Sequence, residues 1–189
     1  MRIGILGGTF NPIHIGHLTL AREAARQLKL DKLIFVPSYL PPHKDQEGIL
    51  DAEHRFKMVV LAITGNPKFE VSRIEVDLKQ KAYSIDTLRK LKDQYGAGAE
   101  FFFITGSDSL KELATWKERD EMFKLSTFVV VKRPGFPMEE VPSQVQAITM
   151  AEMDISSTEI RKRLKGKKGI EDVVPDAARE YIKKNGLYI

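Results

Sequence analysis

Residues 7–17 read Gly7-Gly8-Thr9-Phe10-Asn11-Pro12-Ile13-His14-Ile15-Gly16-His17. No other stretch constrains the fold as tightly. A short apolar run, Ile3-Gly4-Ile5-Leu6, leads into it. Beyond it Leu18, Ala21, Ala24, Ala25 and Leu28 recur at spacings of three and four, the period of an amphipathic helix. The segment is therefore a strand end, a glycine turn and a helix start in succession. The first amides of a helix lack backbone partners, and the helix dipole places positive charge there. Such a junction attracts an anion. Gly7 and Gly8 carry no side chain to keep a phosphate from the backbone. His14 and His17, three apart in the first turn, share a face and aim two imidazoles at one place. The same pair fits half of a zinc site, but the chain has no cysteine and shows no obvious third ligand.

Composition narrows the classes. The 189 residues suffice for one domain. Hydrophobic residues make up 42% and charged residues 30%, as in a globular protein. The absence of cysteine excludes disulfide and thiolate chemistry and fits a reducing cytoplasm. No apolar run approaches the ~20 residues of a membrane span, and Ile3–Leu6 is too short for a signal-peptide core. A net charge of +4 suits polyanionic small molecules as well as nucleic acid.

Strand and helix signals alternate. Strands are expected at Arg2–Gly7, Lys32–Val36, Phe69–Val76, Phe101–Thr105, Thr127–Lys132 and Ala147–Met150. Helices are expected at His14–Leu28, Ala52–Ile63, Ser84–Gln94 with Ser84 as its cap, Ser107–Leu113 and Lys117–Leu125. Pro37–Leu50, with Pro41 and Pro42, is a loop. Crossovers of this length imply right-handed βαβ units and a doubly wound parallel sheet, an α/β fold. From about residue 155 to 189 the chain changes to a small helical appendage within one domain. There Ser156 caps a helix with Glu159 three later. Pro175 opens a last helix that Asn185-Gly186 ends.

Asp154-Ile155-Ser156-Ser157-Thr158-Glu159-Ile160-Arg161 is the second informative segment. As a local signal it is a well-capped helix. It also gathers three hydroxyls and a guanidinium at a helix N-terminus, which suits phosphate. With the first segment it resembles the nicotinate mononucleotide adenylyltransferases of the HIGH nucleotidyltransferase superfamily. That superfamily's His-x-Gly-His box is His14-Ile15-Gly16-His17 here, and the family's Ile-Ser-Ser-Thr-x-Ile-Arg is matched in full by residues 155–161. The family commonly has Asp where this chain has Asn11, a change that keeps the turn chemistry. Further matches are Pro41-Pro42-His43-Lys44, Tyr83-Ser84-Ile85-Asp86-Thr87, Val131-Lys132-Arg133-Pro134-Gly135, and Gly106 and Asp108 with Leu113 and Trp116.

The resemblance implies a Rossmann-like nucleotidyltransferase that passes AMP from ATP to nicotinate mononucleotide, releasing pyrophosphate. It places Gly7, Gly8, Thr9, Phe10, His14, His17, Gly106, Asp108, Arg133, Ile155, Ser156, Ser157 and Arg161 at ATP, with His14, His17 and Arg161 acting in catalysis. It places Lys44, Ser84, Thr87, Asp108, Trp116 and Lys117 at the mononucleotide. Taken alone, Trp116 is more often a core residue, although polar neighbours flank it. No protein metal site is implied; Mg²⁺ arrives with ATP. Nicotinamide mononucleotide is a rival acceptor. Phosphopantetheine adenylyltransferases rank lower because they lack the Pro-Pro-His-Lys and the Trp at this spacing. A nucleic-acid binder is suggested by the pI of about 9.2 and the Lys162–Lys168 run, but such runs are usually solvated faces. A silent nucleotide sensor is disfavoured by intact His14 and His17. Neither a membrane nor nucleic acid is an expected partner; self-association stays open.

Overall fold

A computed structural model of the chain describes residues 1–40, 48–106, 113–132, 144–151 and 153–189. Strands β1 (Arg2–Gly8), β2 (Lys32–Pro37), β3 (Phe69–Val71), β4 (Glu100–Gly106), β5 (Thr127–Lys132) and β6 (Val145–Thr149) form one sheet in the order β3-β2-β1-β4-β5-β6. Every pairing is parallel; Ile5 of β1 lies opposite Ile34 of β2 and Phe103 of β4. The described helices are α1 (Ile15–Gln27), α2 (Ala52–Ile63), α3 (Ser84–Tyr95), α4 (Arg119–Leu125), α5 (Ser157–Lys165) and α6 (Asp176–Lys184). This is the doubly wound α/β fold.

Both sheet faces are covered, so the strands are apolar at nearly every position. Leu6, Leu33, Phe35, Phe102, Ile104, Val129 and Val131 face one core, which α1, α2, α5 and α6 close. Ile3, Ile5, Val36, Phe101, Phe103, Phe128 and Val130 face the other, closed by α3 and α4. The C-terminal helices contribute Ile160, Ala178 and Ile182 to the first core, and their connections add Ile170, Val173, Val174 and Leu187. Strand order reverses between β1 and β4, and ligands of such sheets bind above that switch point, beyond the carboxyl ends of the strands.

Several local expectations need correcting. The third strand ends at Val71, not Val76. The Ser72 hydroxyl accepts the Ile74 amide, and a turn closes from Asp77 N–H to the Arg73 carbonyl, which takes the chain off the sheet edge. Ser84 is not the cap of α3. Tyr83 holds that position without a side-chain bond, and Asp86 supplies negative charge in the first turn. The expected Lys117–Leu125 helix starts at Arg119, because Glu118 is left-handed at φ +51°. The last strand starts two residues earlier than Ala147. Of the expected Ser107–Leu113 helix only Leu113 is described; it opens a single 3₁₀ turn, Leu113–Thr115. Among the described residues no helix is long and apolar enough to cross a membrane.

Candidate active site at the switch point

The site begins with the turn from β1 into α1. Phe10 stands there at φ +48°, a left-handed conformation unusual for a residue with a side chain. Its buried ring packs edge-on against His17 at 5.1 Å and tilts against Phe35 at 5.9 Å. A Cβ on Gly8 would come within 2.9 Å of that ring. Glycine at this position therefore serves the aromatic beneath the turn as well as any ligand above it.

His14 caps α1 and His17 lies one turn further on, their rings stacked at 3.7 Å. The His14 amide donates to His17 Nδ1 at 3.2 Å. That nitrogen is thus an acceptor, and the His17 proton sits on Nε2. Gly16 completes the pair, since a Cβ there would meet the His14 ring at 3.0 Å. The His-x-Gly-His spacing follows from geometry: two rings one turn apart, and no side chain where the first lies over the helix.

The Ser-Ser-Thr helix docks onto this turn from the far end of the chain. Ser156 caps α5, accepting the Glu159 amide at 3.2 Å. Ser157 Oγ donates to the Pro12 carbonyl at 2.9 Å. Arg161 Nη1 donates to the Asn11 carbonyl at 2.9 Å and Nη2 to Thr158 Oγ1 at 3.3 Å. Asn11, a turn residue by sequence, is the hub of the joint. Its side-chain amide donates to the Gly48 carbonyl at 3.0 Å. Its Oδ1 accepts the Leu50 amide at 3.2 Å and the Tyr188 hydroxyl at 2.8 Å. Burial holds the Tyr188 phenol far above its usual range, so it remains a donor. An aspartate at position 11 would turn an acceptor on the Gly48 carbonyl, so the amide has a role of its own here.

Between these two helix starts lies a cavity of about 470 Å³. Of the residues expected at ATP, Gly8, Thr9, Phe10, His14, His17, Gly106, Ile155, Ser156, Ser157 and Arg161 line it; Gly7 does not. Thr158, the third hydroxyl of the Ser-Ser-Thr segment, lines it too, whereas sequence reasoning missed Leu20, Ile49, Met150 and Met153, the apolar walls. Their residue types are those of any core, so only the fold could place them. No carboxylate lines the cavity among the described residues, and none of them forms a group of three metal-ligating side chains. A guanidinium, N–H donors and helix ends are groups that suit phosphates.

Of the residues expected at the mononucleotide, the four that are described, Ser84, Thr87, Trp116 and Lys117, gather elsewhere, on the α3 side of the sheet. Ser84 is the first residue of α3 and half-buried. Lys117 Nζ lies 4.7 Å from the centre of the Tyr83 ring and 3.3 Å from Asp86 Oδ2. Thr87 is buried, and its hydroxyl donates to Glu75 at 2.7 Å. Burial raises the Glu75 pKa, with that hydrogen bond opposing. Trp116 is half-buried and packs edge-on against Phe103 at 5.7 Å and Phe128 at 5.8 Å. Lys44, Asp108 and Arg133 lie outside the described residues.

A parallel sheet with a cavity over its switch point, lined among the described residues by Arg161 and no carboxylate and floored by a glycine turn with paired histidines, fits a nucleotidyltransferase. Residues 5–163 match the cytidylyltransferase-like family model. The chain is 45% identical over 188 residues to a probable nicotinate-nucleotide adenylyltransferase of Thermus thermophilus, covering all of both chains. It is 41% identical to the nicotinate-nucleotide adenylyltransferase of Bacillus subtilis, covering 99% of this chain and 98% of that one. The chain belongs to the nicotinate-nucleotide adenylyltransferase family. Its fold is shared with the Plasmodium falciparum nicotinic acid mononucleotide adenylyltransferase solved with APC, at a TM-score of 0.80 and 22% identity over 99% of this chain and 96% of that one.

Proposed function

We infer that this chain catalyses transfer of AMP from ATP to nicotinate mononucleotide, giving deamido-NAD and pyrophosphate. One observation carries the reading. Two helix starts from opposite ends of the sequence, bearing His14, His17, Ser156 and Arg161, face one cavity and are bonded to each other through Pro12 and Asn11. That is an arrangement for one triphosphate. A phosphate oxygen of the mononucleotide attacks the α-phosphorus of ATP. The new P–O bond forms as the bond to the β-phosphate oxygen breaks, and pyrophosphate leaves. The attacking oxygen is already ionised at neutral pH, so no general base is needed. Catalysis comes from positioning and from stabilising charge on the transferring and leaving groups.

His17 offers an N–H from Nε2, and His14 lies stacked beside it; both serve the α- and β-phosphates. The Gly8, Thr9 and Phe10 backbone lines the first turn. Ser156, Ser157 and Arg161 hold the outer phosphates, in addition to the bonds by which Ser157 and Arg161 brace the turn. Lys44, Asp108 and Arg133 keep the roles that the resemblance gives them, as do Ser84, Thr87, Trp116 and Lys117. Mg²⁺ accompanies ATP and neutralises phosphate charge, bound by phosphates and water; the donor-rich cavity suits the phosphates rather than the ion. The setting is a reducing cytoplasm, and residues 1–189 act as one nucleotidyltransferase unit. The α3 N-terminus at Ser84 favours a carboxylate over an amide on the pyridine ring.

Pyrophosphate release from ATP with nicotinate or nicotinamide mononucleotide, assayed in parallel, tests this. Release with both, several-fold faster in kcat/KM with the acid, is expected. No release with either overturns the reading, and a preference for the amide overturns its acceptor.

A further inference from the structure

Arg55 is the largest fully buried side chain among the described residues. It sits on the inward stripe of α2 with Ala52, Met58, Val59 and Ile63, where the helical period calls for an apolar residue. Its guanidinium donates three hydrogen bonds, all to backbone carbonyls. Nε reaches Leu50 at 2.8 Å, Nη1 reaches Thr9 at 2.7 Å, and Nη2 reaches Tyr39 at 2.8 Å. Among the described residues no carboxylate lies within ion-pair distance of it. Burying a guanidinium without a counter-charge is costly, and arginine keeps its charge even so.

The partners show what that cost secures. Thr9 belongs to the turn that floors the cavity, and Ile49, next to Leu50, is one of its walls. Leu50 is held twice, its carbonyl by Arg55 and its amide by Asn11. Tyr39 begins the segment leaving β2, and Leu50 leads into α2. One rigid fork therefore sets the turn, the wall and the departing strand end in fixed relation. It also places a positive charge, which has no ion-pair partner among the described residues and feels Asp51 only from beyond that distance, directly behind the place where ATP brings its negative ones. The field of a buried charge is little screened by salt.

We propose that Arg55 is a positioning residue of the nucleotide site, which aims the Thr9 turn through the Thr9 carbonyl and supplies a buried charge that ATP answers. The idea rests on the adenylyltransferase reading for its ligand. Lysine keeps the charge but cannot make three divergent bonds; glutamine loses the charge.

The test compares Arg55→Lys and Arg55→Gln with the parent in two assays. Direct titration with ATP and Mg²⁺ needs no acceptor. Steady-state pyrophosphate release gives kcat and both KM values. Circular dichroism at the assay temperature confirms folding. Arg55→Gln should bind ATP at least tenfold more weakly, with nearly the same loss in 20 mM as in 200 mM salt, because a buried charge is little screened. Arg55→Lys should recover most of the ATP affinity yet turn over about tenfold more slowly. The KM for the mononucleotide should move less than twofold in either. If Arg55→Gln does not fold, the split between affinity and kcat in Arg55→Lys decides alone. A folded variant with parental ATP affinity and kcat overturns the proposal. So does an equal loss in all parameters, which is what a merely loosened fold would give. If the parent binds ATP but releases no pyrophosphate, the adenylyltransferase reading fails while the titration still judges Arg55.

Discussion

At the scale of single residues, two positions of the His-x-Gly-His box separate chemistry from stability. His17 stacks on His14, borders Phe10 and accepts the His14 amide, which leaves its Nε2–H as the donor proposed for phosphate. His17→Ala should lower kcat by about 10²–10³, the range for losing one transition-state donor. Its melting temperature should fall only slightly, since one exposed-edge hydrogen bond contributes about 1 kcal/mol. Near-normal kcat would remove His17 from the mechanism. Gly16 gives the opposite pattern. Alanine is a better helix former than glycine by about 1 kcal/mol, yet its methyl would meet the His14 ring at 3.0 Å. Gly16→Ala should melt no lower than the parent and turn over about tenfold more slowly, because a small misplacement of a catalytic group is expensive. Thermal melts and kcat from one preparation check both halves.

At the scale of elements, α3 and the short turn after β4 carry the second cluster. Trp116 lies edge-on to Phe103 and Phe128, so it is part core and part surface. Both consequences should be measurable. Trp116→Ala should lose stability, by less than the ~3–5 kcal/mol of a fully buried tryptophan. It should also bind nicotinate mononucleotide ten- to a hundredfold more weakly, as base–aromatic stacking of about 1–3 kcal/mol implies, with ATP affinity preserved. Trp116 is the only tryptophan, so its emission should respond to the mononucleotide and much less to ATP. A stability loss with silent emission would make it core alone.

Glu75 braces the same element through Thr87. Its pKa is raised by burial, so the folded state disfavours the ionised form. The stability tied to it is complete below the ordinary carboxyl pKa and is lost as pH rises through the raised value. Glu75→Gln keeps an acceptor for the Thr87 hydroxyl and removes that loss. Its melting temperature should exceed the parent's at pH 8 by about 2–4 °C, the equivalent of ~1 kcal/mol in a chain of this size. The gap should close towards pH 4.5. A gap constant across that range would deny the linkage.

At the scale of the whole molecule, the two ends of the chain are one structural unit. The Ile15 amide donates to the Val173 carbonyl at 2.9 Å, Ser157 and Arg161 bond the turn, and Tyr188 bonds Asn11. ATP should therefore slow amide hydrogen exchange in residues 8–17 and 155–161 together, and at 170–188 behind them. The α4 amides, on the opposite face, should be unaffected. Protection confined to one of the two motifs would mean that ATP does not bridge them.

Sequence by itself determined the period-bearing parts of this protein. The apolar runs of β1, β2, β4 and β5, the stripes of α1 and α2, and the two helix starts are local patterns of side chains, and local sterics and capping suffice to form them. The proposal of phosphate binding at Gly8–His17 and Ser156–Arg161 draws on the same local patterns: free helix amides and their dipole are properties of a single turn. Tertiary structure decided what depends on a partner distant in sequence. Strand β3 stops at Val71 because Phe35 is where its pairing ends. Trp116 is half core because Phe103 and Phe128 stand beside it. The Asn11 amide matters through Gly48, Leu50 and Tyr188, none of which its local sequence announces. Arg55 was visible only as an arginine on an apolar stripe. Its purpose appears when Thr9, Tyr39 and Leu50 converge on it, since three carbonyls can satisfy one buried guanidinium only where the fold brings three segments to a point.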